Sequence, residues 1–139
     1  WGFGDGGAVP VTSRYFAGGA NSVRGFDYNR LSPYAEQCYD SGKCQRVPVG
    51  GLTILTTSLE SRFHHGWGLS TVLFTDVGNV DEQAFRVAPG ALTWNAGLGL
   101  RYLTPVGPAS LDFAYRLSDP ERFAHLARWT FYVTLGEAF

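Results

Sequence analysis

Cysteine and histidine are the side chains in this chain whose types and spacing could do chemistry. Cys38 and Cys44 stand in Glu-Gln-Cys-Tyr-Asp-Ser-Gly-Lys-Cys. That spacing could close a small disulfide loop, which implies an oxidising compartment, and a polar, glycine-containing turn suits the geometry. A metal site is a second reading, weakened by two sulfurs with no nearby histidine, and a pair of free thiols is a third. His64-His65-Gly66 could bind metal or move protons, but two histidines without a third ligand read better as a polar turn. No Ser-His-Asp or Cys-His spacing organises a nucleophile, and there is no phosphate-cradling loop. The reading is therefore a protein that is not an enzyme and takes no metal and no cofactor.

The composition around these groups points to β-structure. The chain has 139 residues and a formal net charge of −1, so no basic footprint argues for nucleic acid. Charged residues make up 17%, below the roughly 25% usual for soluble domains, while 18 glycines and 15% aromatics are high. Those deviations fit β-structure with two apolar environments. No run of about 18 apolar residues offers a transmembrane helix, yet a membrane barrel alternates its polarity and needs none. The chain starts at Trp1 without a methionine or signal peptide and reads as a piece of something longer.

Residues 1–50 read as the end of a preceding strand followed by a long loop. Residues 1–13 are glycine-rich and end in a short apolar piece; 14–50 form an irregular segment holding Val23-Arg24-Gly25-Phe26 and the cysteine loop. Gly18, Gly19 and Gly25 break the alternation a strand requires, and no apolar face recurs at helical spacing. The run Arg14–Arg30 is nonetheless rich in aromatics and arginine, which argues against disorder and for packing on something else in the chain.

Residues 51–139 hold five period-two segments. Over 52–63, Leu55, Leu59 and Phe63 oppose Glu60 and Arg62; over 67–77, Leu69, Leu73 and Val77 oppose Ser70 and Asp76. Over 92–103, Trp94, Ala96, Leu98, Leu100 and Tyr102 oppose Asn95, Gly97, Gly99 and Arg101. Over 109–117, Leu111, Phe113 and Tyr115 oppose Asp112 and Arg116, and over 128–135, Trp129, Phe131, Val133 and Leu135 oppose Thr130, Tyr132 and Thr134. Such alternation predicts antiparallel strands, since the gaps are too short for helical crossovers. Gly97 and Gly99 mark a bulge or a close backbone approach.

Short connections alternate with long ones, as in an outer-membrane barrel. A soluble sandwich also alternates, but these segments have the length a tilted strand needs to cross hydrocarbon. Their apolar faces carry almost no charge and place Trp94, Tyr102 and Trp129 near the ends, as an interfacial girdle requires. Five strands cannot close a barrel, and an open edge in lipid leaves backbone groups unsatisfied. The missing strands are expected before residue 1.

Five motifs occur in a familiar order: Arg14-Tyr-Phe-Ala-Gly-Gly-Ala-Asn-Ser-Val-Arg-Gly-Phe26, Ser58-Leu-Glu-Ser-Arg62, Phe74-Thr-Asp-Val-Gly-Asn79, Gly97–Pro108 and Leu111-Asp-Phe-Ala-Tyr115. Together they resemble the C-terminal end of the barrel in outer-membrane assembly factors of the BamA/TamA type. The closing Trp129–Phe139 looks nearer the TamA branch. The resemblance implies an all-β, antiparallel transmembrane barrel of sixteen strands, of which these are the last five, preceded by periplasmic POTRA domains. It places the protein in the bacterial outer membrane, in contact with its lipid bilayer. It also implies that the 14–30 segment folds into the lumen and carries Arg24 to Glu60 and Asp76, with Gly25 permitting the sharp turn before Phe26. The bland alternative is that Arg24, Glu60 and Asp76 are ordinary solvated lumen charges.

The resemblance further implies that the last strand, with Trp129, Phe131, Val133, Leu135 and the terminal Phe139, forms a lateral seam where client strands are templated by strand addition. Residues 128–135 depart from the family in containing no glycine, where relatives often carry a kink. Clients would be unfolded β-barrel or autotransporter chains, with an inner-membrane-anchored subunit as a further partner. The rivals are a BamA-like general insertase, a two-partner secretion transporter, a passive barrel without clients, and a soluble sandwich.

Overall fold

Period-two patterning in this chain produces one long sheet and, unexpectedly, a second short one. The computed structural model describes residues 9–39, 42–85, 89–118 and 123–136. A hairpin of β1 (Tyr34–Cys38) and β2 (Cys44–Pro48) stands apart as its own two-stranded sheet. The remaining strands, β3 (Thr53–Gly66), β4 (Leu69–Asp81), β5 (Thr93–Thr104), β6 (Gly107–Arg116) and β7 (Trp129–Leu135), form one antiparallel sheet in chain order. Strands β3 to β6 run 14, 13, 12 and 10 residues, at or beyond the ~9–11 that a tilted strand needs to span a bilayer core.

Each expected segment becomes a strand within a few residues of its predicted bounds. Three details differ. The segment 14–50 is not structureless, because β1 and β2 pair inside it from Tyr34↔Pro48 to Cys38↔Cys44. Where the tail of a strand is expected before residue 14, Val11–Ser13 forms a 3-10 turn, and residues 1–8 lie outside the described residues. The first tight turn falls at Trp67-Gly68 rather than at His64–Gly66, with β3 continuing through a bulge between His64 and Gly66. Both turn residues have positive φ, 57° and 76°, the backbone of a two-residue hairpin loop that matches strand twist.

The sheet is inverted relative to a soluble one. Leu59 is 73% exposed and Val133 59%, whereas Asp76 and Asn95 are 0% exposed and Arg116 is 1%. Trp94, Tyr115 and Trp129 are also exposed, and Tyr115 pairs with Trp129 across β6 and β7. A water-soluble sheet buries its apolar face; this one turns leucine and aromatic side chains outward and hides its charges, as a barrel wall in lipid must.

The charges are hidden by the segment from Ala17 to Leu31. Its ends meet in an antiparallel bridge between those two residues, which makes it a closed Ω-type loop. Val23, Phe26 and Leu31 are fully buried with Val80 and Phe123, so the loop carries its own apolar core onto the polar side of the sheet. Gly97 and Gly99 sit in regular register without a bulge. A Cβ on Gly97 would stand 2.3 Å from the Phe74 ring, and one on Gly99 2.3 Å from Asp112 Oδ1, so close approach is the reason for both.

Candidate functional site

The register of the strands sets a row of inward polar residues. Ser58 faces Asp76 across β3 and β4, Asp76 faces Asn95 across β4 and β5, and Asn95 faces Arg116 across β5 and β6. The Arg24-Gly25-Phe26 run lies along this row and meets every strand of the sheet. Arg24 reaches β3 and β4, Gly25 presses on Asn95 of β5, Phe26 lies under Arg116 of β6, and carbonyls of the run meet β7.

Asp76 is the centre of the clasp. Its Oδ2 accepts the backbone N–H of Arg24 at 3.0 Å and Nε at 3.1 Å; its Oδ1 accepts Nη2 at 3.0 Å and the Ser58 hydroxyl. Those four bonds use about the full acceptor capacity of a carboxylate, as a charge without solvent requires. Arg24 Nη1 donates to Glu60 Oε2 at 3.1 Å, and Nη2 also donates to Ser58 Oγ at 3.1 Å. Glu60 is shared, since its other oxygen accepts Arg62 Nε at 2.6 Å. The guanidinium carbon lies 3.5 Å from the centre of the Phe74 ring, which adds a cation–π contact on its flat side. Burial alone would lower the Arg24 pKa, but the hydrogen bonds and charges of Asp76 and Glu60 outweigh it and raise it. A base stabilised in this way keeps its full contribution below its ordinary unfolded value and loses it as pH rises from there through the raised folded value, so alkali within any ordinary range leaves the clasp charged.

Gly25 owes its identity to space. Its φ is not positive, and a Cβ there would stand 1.8 Å from Asn95 Oδ1 and 2.3 Å from Asn95 Cγ. The expected sharp turn is present, closed by the Phe26 N–H on the Val23 carbonyl at 3.1 Å, but its backbone at Gly25 does not itself demand glycine; the close contact between loop and barrel wall does. Phe26 packs edge-on against Phe123 with ring centres 4.9 Å apart and under the Arg116 guanidinium at 4.7 Å. Arg116 in turn donates to the carbonyls of Leu126 and Ala127 at 3.0 and 3.1 Å, tying the last long loop over the Arg24 loop.

The other singled-out residues lie elsewhere. Trp129, Phe131, Val133 and Leu135 line the outward face of β7, while Phe139 falls outside the described residues. Cys38 and Cys44 are joined by a disulfide across a directly opposed pair of the β1–β2 hairpin, so the metal and free-thiol readings do not describe this structure. His65 Nε2 lies 2.8 Å from Thr71 Oγ1 at the exposed bulge near the end of β3, and among the described residues no metal-binding group forms. Arg101 pairs with Asp112 at 2.7 Å as a local lumen charge balance. Sequence reasoning passed over Ser58, Phe74, Asn95, Thr130 and Tyr132 as partners of the loop. Their signal was available only as inward parity on neighbouring strands, without the register that aligns them.

Comparison with known proteins supplies the family. The Omp85 superfamily domain matches residues 1–139. The chain belongs to the Omp85 superfamily. Its sequence is 33% identical over 137 residues to the outer membrane protein assembly factor BamA of Nitratidesulfovibrio vulgaris (strain Hildenborough), covering 96% of this chain and 16% of that protein. Its fold is similar to the crystal structure of BamA from Haemophilus ducreyi lacking POTRA domains 1–3, with a TM-score of 0.64 and 22% identity over 82% of this chain and 25% of the other. The chain thus spans about a sixth of the curated relative's length. This Omp85 segment is a C-terminal barrel portion of the BamA/TamA type, and its place is the bacterial outer membrane.

Proposed function

We propose that this Omp85 segment forms the seam side of a barrel that assembles other outer-membrane proteins, with β7 as the templating edge. The observation that carries the proposal is β7 itself. Like β3 it is an edge of the described sheet, so one row of its backbone donors and acceptors pairs with no strand of that sheet, and its outward face is apolar from Trp129 to Leu135. Strand addition uses main-chain hydrogen bonds and so accepts clients of many sequences. In the intact barrel the first strand closes on β7, and an incoming client strand competes for the same edge. The work is templated pairing and local disturbance of the bilayer, with no chemical energy source in this segment. The loop clasped at Arg24 plugs the lumen beside that edge.

The clients on this reading are unfolded β-barrel chains, autotransporters among them, with an inner-membrane-anchored subunit as the partner that the TamA-like ending favours. The BamA name of the 33%-identical relative favours a second reading, a general insertase. Site-specific crosslinking in the intact protein tests both. A cysteine within 128–135 is expected to crosslink to the first barrel strand and to a nascent client, with client and self-closure competing. Crosslinks to the first strand alone would mean a barrel that stays shut and assembles nothing.

A further inference from the structure

The Arg24–Phe26 run is held from two sides, and the second side is the strand at the edge. Thr130 and Tyr132 are two residues apart on the inward face of β7. The Thr130 hydroxyl donates to the Arg24 carbonyl, and the Tyr132 hydroxyl donates to the Phe26 carbonyl at 2.5 Å. The accepting carbonyls are also two residues apart, so the spacing on the loop matches the spacing on the strand. The Arg24 N–H meanwhile goes to Asp76 on β4. One short stretch of backbone therefore bridges β4 and β7 across the concave side of the sheet.

Tyr132 is not needed merely to satisfy a buried carbonyl. The Phe26 oxygen already accepts the Gly19 N–H at 2.9 Å within the loop. Two hydroxyls are spent tying the loop to β7, which with β3 is one of the two edge strands of the described sheet. Their bonds are neutral, whereas those to β3 and β4 are charge-assisted and the stronger kind. A displacement of β7 would therefore be expected to break the hydroxyl contacts before those to Asp76 on β4.

We propose that Thr130 and Tyr132 couple the last strand to the lumen loop. Displacement of β7 loosens the Arg24–Phe26 run, and release of that run frees β7, because a coupling between two equilibria acts equally in both directions. The client-receiving edge and the lumen plug then open as one event. This rests on the reading of β7 as the seam strand.

The experiment uses the intact protein with Cys38→Ser, Cys44→Ser and every other native cysteine replaced by serine, so that the only disulfide is an engineered one joining Val133→Cys on β7 to a cysteine on the first barrel strand. Trypsin cleavage at Arg24 and Arg30 is timed with the seam locked by oxidation and free after reduction. Folding of every variant is checked by its heat-dependent gel mobility. Locking is expected to slow loop cleavage about five-fold or more, the population factor of one neutral hydrogen bond or slightly better. In the Thr130→Val, Tyr132→Phe double variant, locked and free forms should be cleaved at the same rate, and Tyr132→Phe alone should give intermediate protection. A lock that forms but leaves cleavage unchanged, or slows it equally in the hydroxyl-less variants, overturns the coupling while leaving the seam reading intact. A lock that never forms overturns the seam reading and the coupling with it.

Discussion

The two sides of the Arg24–Phe26 run are held by different chemistry. On the β3–β4 side a guanidinium meets two carboxylates and a serine, with Asp76 fully shielded from solvent. On the β7 side two uncharged hydroxyls meet two backbone carbonyls. Removing one partner of the first set strands a buried charge, whereas removing a hydroxyl from the second leaves a neutral carbonyl. The difference teaches where such a molecule can yield. The clasp fixes the loop to β3 and β4, and the weaker ties lie beside β7, the edge at which the proposed function has a new strand enter.

The largest test of that contrast is Arg24→Ala. It leaves Asp76 buried without its partner and should cost about 3–5 kcal/mol of barrel stability. The intact variant should undergo its heat-induced gel mobility shift at lower temperature, and its loop should become protease-sensitive. Arg24→Lys should recover only part of the loss, since an ammonium cannot make the fork to Asp76. Next comes Gly25→Ala, which drives a methyl into Asn95 and should cost about 1–3 kcal/mol. Pairing it with Asn95→Ala removes the two closest atoms and should return part of the stability in the same mobility assay. If the double variant is no better than Gly25→Ala alone, crowding by Asn95 is not what requires a glycine at this position.

The smallest effect should come from the disulfide. Cys38 and Cys44 staple a hairpin that belongs to a separate sheet. Replacing both with serine should loosen the hairpin by roughly 2 kcal/mol of lost loop closure. Barrel mobility and resistance of the 17–31 loop should stay as they were. A large drop in either would mean that the hairpin braces the lumen loop through Tyr34, whose ring meets Phe123 edge-on with centres 6.2 Å apart.

What the sequence disclosed follows from which interactions are local. Alternation is a property of each strand alone, so the five strands and their inward and outward faces were legible from the order of residues. So was the membrane, because Leu59, Leu98 and Val133 share faces that hold almost no charge. The hairpin at Tyr34–Pro48 was not legible, because Glu36, Gln37, Gln45 and Arg46 give it no apolar alternation and its pairing is pinned by the disulfide. Register was not legible either, since it depends on the bulge near His65 and on turns whose positions shift by two residues. Without register, Ser58, Asp76, Asn95 and Arg116 are four unrelated polar residues; with it they are one row. Gly25 illustrates the same limit, because a glycine needed for space cannot be told from one needed for a turn until its neighbour on β5 is known.

The central claim is that Arg24 and Asp76 act as one unit. A double-mutant cycle on the intact protein tests it most directly, comparing Arg24→Ala, Asp76→Ala and the pair by the temperature at which the folded gel form is lost. The account predicts strong non-additivity, with the double variant no less stable than the worse single one, because each single change strands the other's charge. Losses that simply add would contradict it and return Arg24 and Asp76 to the standing of separate lumen charges.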